Sequence, residues 1–287
     1  MSPTCDQGAC GKGGKARARS DYSVADPEFA RVRNLALQIA GIELHGRSRQ
    51  HISRRCERVG ISSDSGLSGL LGAVEAGDTA ARRQFISLLT TNFTGFFRHP
   101  RHFDIAAEHA FCAIQSRGVA RLWSAAAATG EEPYSLAMAL FMRMGQNDGA
   151  VTILATDIDS DALDFARQGD FGERSLRTLD PSLRSRFFID SASKKSACIL
   201  PAIQRLVEFR ELNLASSQWS VAGLFDVIFC RNVLMYLESQ HRESALMRMA
   251  GLLSHNGLLV LDPAEYPGKA EHLFGKADNG IYTLRTG

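Results

Sequence analysis

The chain has 287 residues, 45% of them hydrophobic, with 33 Lys and Arg against 31 Asp and Glu. That length holds one large or two modest domains with ample core. The near-neutral charge argues against a nucleic-acid enzyme, and no apolar run reaches the roughly 18 residues of a membrane span. The N-terminal MSPTCDQGACGKGGKARARS has no apolar stretch of the secretory kind, so a soluble, cytoplasmic protein is expected.

Residues 1–22 are rich in Gly, Lys, Arg and Ser without periodicity and read as a disordered basic tail. Asp26, Pro27 and Glu28 then supply a helix start: an N-cap, a proline for the first helical position and an acid for the positive dipole end. Phe29, Val32, Ala36 and Ile39 give that helix an apolar face, and Gly41 ends it. A second helix is expected over 46–59, with Arg47, His51, Arg54 and Arg58 on one stripe and Ile52, Cys56 and Val59 well away from it. Residues 1–60 hold 11 Lys and Arg against 6 Asp and Glu, which suits an acidic partner, a solvated face being the plainer reading. Further helices fall at about 66–76 and 79–91, and no strand pattern precedes residue 119, so a helical N-terminal domain is expected over 23–95.

From there strands and helices alternate. Strands are expected at 119–125, 151–156, 225–230 and 258–262, and helices at 132–144, 160–168 and 239–253. Short apolar strands alternating with helices define an α/β fold, a doubly wound parallel sheet, over 96–287. Residues 181–212 interrupt the rhythm. Strand-like pieces at 198–200 and 206–211 suggest a small inserted β-subdomain there. None of the six cysteines forms a CxxC pair and the eight histidines show no metal-ligand spacing, so free thiols and no metal are expected. Cys112 and Cys230 lie in apolar contexts and read as core.

Open parallel sheets bind ligands at the carboxyl ends of their strands. After the first strand comes SAAAATGEE, a run of tiny residues that lets a ligand approach the backbone. Its two glutamates would repel a phosphate, so the ligand there should be neutral or cationic. Thr129 and Glu132 also match a capping box, which leaves Glu132 with two possible roles. Asp157 follows directly on the second strand, where an acid accepts both hydroxyls of a ribose; a solvated strand-end acid is the alternative. Asp159 reads as the N-cap of the next helix. The strand at 225–230 delivers Arg231 and Asn232 to the ligand edge, with Tyr236 on the turn beyond. Ahead of the sheet, TTNFTGFFR at 90–98 sets three aromatic rings beside Asn92, Thr94 and Arg98, a wall with few polar handles or simply core.

These pieces resemble one family, the chemotaxis receptor methyltransferases or CheR family. The matching segments are TTNFTGFFR, WSAAAATGEEPYSLAM, ATDIDSDALDFARQG, ELNL at 211–214 and FDVIFCRNVLMYL, in the family's order and spacing, together spanning about 27–262. The resemblance implies a Rossmann-like methyltransferase sheet with a helical N-terminal domain and a small β-subdomain. It implies transfer of a methyl group from S-adenosyl-L-methionine to the γ-carboxylate of receptor glutamates, with S-adenosyl-L-homocysteine as product. Carried over by position, Asn92, Thr94, Arg98, Ala125, Glu132, Asp157, Asn213, Leu214, Asn232 and Val233 contact the cofactor. Arg98 and Tyr236 border the transferred methyl as catalytic residues. The stripe of Arg47, His51, Arg54 and Arg58 binds the substrate, the acidic cytoplasmic coiled coil of a methyl-accepting chemoreceptor. No nucleic acid and no membrane insertion are implied. Two departures stand out: the stretch from Gly41 to Gly60 is about one helical turn short, and LDPAEY at 261–266 replaces a Gly-His-Ser-Glu-Asn-like segment. The rival readings are a scaffold with a degenerate cofactor site, which that segment favours, and a methyltransferase for another protein.

Overall fold

The computed structural model describes residues 22–61, 63–145, 150–192 and 195–285. The expected basic tail lies outside them, apart from Tyr22. Four helices come first: α1 (Asp26–Ala40), α2 (Ser48–Arg58), α3 (Asp64–Glu75) and α4 (Thr79–Leu89). They enclose one apolar cluster that includes Phe29, Val32, Ile52, Leu71 and Phe85. The α1 start signal acts one residue away from its expected place. Ala25 is the N-cap, and Asp26 lies in the first turn, paired with Arg49. Gly41 ends α1 in the left-handed conformation, at φ 65°, and a Cβ there would lie 2.3 Å from the Cβ of Ala215. A glycine is therefore required twice, by φ and by the loop that crosses it.

Helix α5 (Pro100–Arg117) follows, an element beyond those expected from the sequence. Its buried face is Phe103 with Ala106, Ala107, Ala110 and Ala113, and alanines give a faint periodic signal. Then come β1 (Ala120–Ser124), α6 (Glu131–Met144), β2 (Val151–Asp157) and α7 (Ser160–Gln168). A smaller lobe contains β3 (Asp170–Gly172), α8 (Glu173–Leu176), α9 (Pro181–Phe187), β4 (Phe188–Asp190), β5 (Ser196–Ile199) and α10 (Pro201–Gln204). The chain closes with β6 (Val207–Glu211), β7 (Phe225–Phe229), α11 (Ser239–Leu252), β8 (Leu253–Val260), β9 (Phe274–Asp278) and β10 (Ile281–Leu284).

The main sheet has seven strands in the order β6-β2-β1-β7-β8-β10-β9. Its first five run parallel, and β10 is antiparallel to both β8 and β9. The expected parallel sheet is thus a mixed one, with two unread strands at its edge. A second correction concerns the insertion. The piece at 206–211 belongs to the main sheet as edge strand β6, in parallel register with β2 from Ile153 against Val207 to Asp157 against Glu211. The small antiparallel sheet is β3-β5-β4, so it begins at Asp170, earlier than the expected 181. A short strand-like piece announces a strand but not its partner. Cys230 is buried as expected, whereas Cys112 is exposed on α5. Among the described residues no helix is long and apolar enough to cross a membrane.

The helical unit is stitched to the sheet near the strand ends. The Asn213 side-chain amide donates to the Ile39 carbonyl at 2.8 Å, and the Glu43 amide donates to the Tyr236 carbonyl at 2.9 Å. Ile42 and Leu237 form an isolated antiparallel bridge between these contacts.

Candidate functional site

The site lies where β1, β2, β7 and β8 end side by side. After β1, the tiny residues are pinned from both flanks: the Ala125 amide donates to Phe229 O at 2.8 Å and the Ala127 amide to Thr156 O at 2.9 Å. The Ala128 amide donates to Asp157 Oδ2 at 2.8 Å, with Ala128 itself at φ 47°. Gly130, at φ 97°, is the N-cap of α6, and no side-chain bond caps it. The capping-box reading of Thr129 and Glu132 is therefore corrected. The Thr129 hydroxyl donates to Glu131 instead, at 2.6 Å. Glu132 is buried, accepts from the Ser124 hydroxyl at 2.8 Å and faces Arg231 Nη1 at 3.3 Å. Burial pushes the Glu132 carboxyl up, and Arg231 is the strongest influence pulling it back.

Asp157, the last residue of β2, is buried with amides on both oxygens: Ala128 on Oδ2 and Asp159 on Oδ1, at 2.8 and 3.0 Å. Burial raises its carboxyl to about 6 against the pull of those amides. A carboxylate has about four acceptor sites, so capacity remains for further donors. Asp159 is the N-cap of α7, as expected, through bonds from the Asp161 and Ala162 amides to Oδ1. Its other oxygen takes the Thr90 hydroxyl at 2.6 Å and the Asn92 side-chain amide at 2.8 Å. One buried acid thus caps a helix and fixes a candidate cofactor contact.

The segment at 90–98 crosses the mouth of the site in a strained conformation. Asn92, Phe97 and His99 all have positive φ, at 43°, 51° and 60°. Residues other than glycine adopt such angles at a cost and need surroundings that hold them. Here Phe96 packs edge-on against Phe171 and Phe188, at centroid distances of 4.9 and 5.4 Å. The Phe97 amide donates to the Ser135 hydroxyl at 2.9 Å. The three rings do not form one wall: Phe96 is core, Phe97 leans on Phe103, and Phe93 stays exposed under the Arg98 guanidinium. Thr94 is half-buried between them.

At the end of β7, Arg231 is buried and donates from Nη2 to the Arg98 carbonyl at 2.7 Å. Asn232 adopts φ 57°, which asparagine tolerates. Its backbone amide donates to Glu265 Oε2 and its side-chain amide to Asp262 Oδ2, both at 2.8 Å. Val233 is half-buried, and Tyr236 is exposed on a 3-10 turn, Leu234–Tyr236. Leu214 joins the apolar cluster of Trp123, Leu154 and Leu212, while Asn213 Oδ1 accepts from the Ala215 amide. Glu265 also receives the Met235 amide at 3.3 Å, and burial pushes its carboxyl up. Burial alone would raise Asp262 too. Bonds from the Ala264 amide and Asn232, with Arg98 and His99 nearby, outweigh it and hold Asp262 below the usual carboxylate range.

The structure therefore gathers Asn92, Arg98, Ala125, Glu132, Asp157, Asn232 and their neighbours around one sheet edge. Arg47, His51, Arg54 and Arg58 lie elsewhere, all exposed on or just before α2. Partial desolvation by its surroundings, and then the neighbouring arginines, push His51 down despite its surface position, so the stripe's charge at neutral pH comes from its arginines. Arg55 points the other way, donating to the carbonyls of Ser87, at 2.6 Å, and Thr90. Arg231 stands at the ligand edge as its place after the strand implies, but it serves Glu132 and the Arg98 carbonyl, whereas Asp262 and Glu265 have no counterpart in the expected site. The signal at Arg231 is a charge directly after six buried residues, 225–230.

An alanine loop open to a ligand, an acid ending the next strand and an asparagine at the third, with carboxylates in place of a phosphate cradle, fit a cofactor that carries a sulfonium and an ammonium. Fold and site define an S-adenosylmethionine-dependent methyltransferase. Comparisons with known proteins narrow this. Residues 92–282 match the family described as CheR methyltransferase, SAM binding domain. Chemotaxis protein methyltransferase 2 of Pseudomonas aeruginosa is 36% identical over 269 residues, covering 92% of this chain and 95% of that one. The chemotaxis protein methyltransferases of Salmonella typhimurium and Escherichia coli are 36% and 35% identical, each over 91% of this chain and over 91% and 92% of their own. The chain belongs to the CheR family of chemotaxis protein methyltransferases.

Proposed function

We propose that the protein methylates the γ-carboxylate of glutamates on the cytoplasmic coiled coil of methyl-accepting chemoreceptors, and that it works in the cytoplasm. The observation that carries this reading is Arg98: a partly exposed guanidinium at the end of the strained segment, at the mouth of a carboxylate-lined site. S-adenosylmethionine, when bound, supplies an electrophilic methyl group on a positively charged sulfur.

The chain's own residues have two tasks. The first is holding the cofactor. Asp157 has free acceptor capacity for the ribose hydroxyls, and Asn92, Thr94, Asn213, Leu214, Asn232 and Val233 line its remaining length. Ala125 gives backbone access on the methionine side. Glu132 supports that side through Arg231, since both of its oxygens already have partners. The second task is aligning the nucleophile. A glutamate has a pKa near ~4.3 and is ionised at neutral pH, so it needs no general base. What remains is in-line alignment and exclusion of water. Arg98 orients the incoming carboxylate, and Tyr236 stands on the adjacent turn as a positioning group. Residues 23–95 act in this reading as the docking unit, with Arg47, Arg54 and Arg58 steering an acidic coiled coil, and 96–287 as the catalytic unit. Arg55 supports a link between them, because it ties α2 to the carbonyl of Thr90 at the start of the strained segment.

Substitution of Arg98 by alanine tests the reading. Methyl transfer to an isolated receptor signalling domain should fall far more than affinity for S-adenosylhomocysteine. Equal losses in both would refute this division of labour.

A further inference from the structure

We propose that Asp262 is a positioning residue of the methyl-transfer centre, holding Arg98 in a loose ion pair so that the guanidinium meets a substrate carboxylate without clamping it. The inference rests on the function proposed above. Asp262 lies just past β8, at the ligand edge of the sheet, and is 6% exposed. Its carboxylate cannot turn. Oδ1 accepts the Ala264 amide at 3.0 Å, and Oδ2 accepts the Asn232 side chain at 2.8 Å. The same Oδ2 faces Arg98 Nη2 at 3.7 Å and His99 Nε2 at 3.5 Å.

At 3.7 Å Arg98 is within ion-pair range but beyond a hydrogen bond, so charge retains it and geometry does not lock it. Its side chain is 37% exposed, with Phe93 on its other side. Arg231 provides the contrast, with Nη1 and Nη2 committed to Glu132 and to the Arg98 carbonyl. A carboxylate arriving at Arg98 therefore enters a site where part of the positive charge is already balanced. That has two effects. It weakens binding of the resting substrate, and it leaves more electron density on the attacking oxygen, because a fully engaged guanidinium would draw charge away. Uniform tight binding does not speed chemistry, so giving it up costs the rate little. Through Asn232 the same carboxylate also orients a candidate cofactor contact, which couples the two halves of the centre.

The test uses full-length enzyme loaded with S-adenosylhomocysteine and a receptor signalling fragment. Asp262→Asn keeps the size and removes the charge. It should tighten fragment binding about fivefold, the upper range for a partly exposed pair, and lower kcat for methyl transfer, with KM and kcat falling together. In an Arg98→Ala background the same substitution should leave fragment binding unchanged. Asp262→Gly, which removes the carboxylate without adding a donor, should shift binding in the same direction. Unchanged binding and kcat in Asp262→Asn, or a gain in binding that persists without Arg98, would overturn the inference while a methylating wild type left the function standing. A wild type that does not methylate the fragment would overturn both.

Discussion

Asp157 gives the sharpest quantitative test of the cofactor site. Burial raises its carboxyl to about 6, so about a tenth of it is ionised at pH 5 and nearly all at pH 8. Ribose hydroxyls donating to the carboxylate would favour its charged form. Affinity for S-adenosylhomocysteine should therefore fall about tenfold between pH 8 and pH 5, with half-loss near pH 6. Asp157→Asn should bind more weakly at pH 8, by roughly 1.5–3 kcal/mol for hydrogen bonds to a charged group, and its affinity should be flat across that range. Stability of the cofactor-free protein moves the opposite way. The folded value lies above the unfolded one, so this stabilising contribution is complete below about pH 4 and lost as pH rises to about 6, on the order of 3 kcal/mol. Titration calorimetry at four pH values and chemical denaturation of the same samples measure both, with the variant isolating Asp157 from the other buried acids. Wild-type affinity that stays level from pH 5 to 8, or a slope that survives in the variant, would refute the assignment.

Arg231→Ala leaves the Glu132 carboxyl buried without its cation, at a cost of about 3–5 kcal/mol. Adding Glu132→Gln should recover part of that in denaturant titrations, and a double variant no more stable than the single would contradict the pairing. Gly130→Ala forces φ 97° on a residue whose Cβ would sit 2.8 Å from Ala166 Cβ. It should lose at least about 1–2 kcal/mol in thermal melts together with cofactor affinity, and an unchanged melt would contradict the loop geometry. Replacing Arg47, Arg54 and Arg58 by alanine should weaken receptor association and remove its salt dependence. A wild-type association insensitive to salt would leave the stripe as an ordinary solvated face.

Much of this was legible in sequence where one signal pointed one way. The helix 160–168 is legible to the residue, with Asp159 read as its side-chain cap; in the fold Gly169 closes it in the left-handed conformation. The candidate cofactor edge is legible because tiny residues and strand-end acids have few structural uses together, and the fold brings them side by side. What escaped depended on partners far along the chain. Val207 and Phe209 alternate like any strand, and only packing shows that they extend the main sheet beside β2. The capping box at Thr129 matched a local rule, yet Gly130 took the cap, freeing Glu132 for an arginine at position 231. Asp262 and Glu265 sat in a segment read as a departure from the family. In the fold they hold the Asn232 side chain and backbone, a role that no local spacing announces.

In the proposed reaction this site esterifies receptor glutamates. Incubating the full-length protein with methyl-labelled S-adenosylmethionine and a receptor signalling fragment, then mapping the label by mass spectrometry, tests it most directly. Label should appear on glutamate side chains, released as methanol by mild base, and be absent in the presence of excess S-adenosylhomocysteine. An unlabelled fragment beside an enzyme that binds the cofactor, or label that resists base, would contradict it.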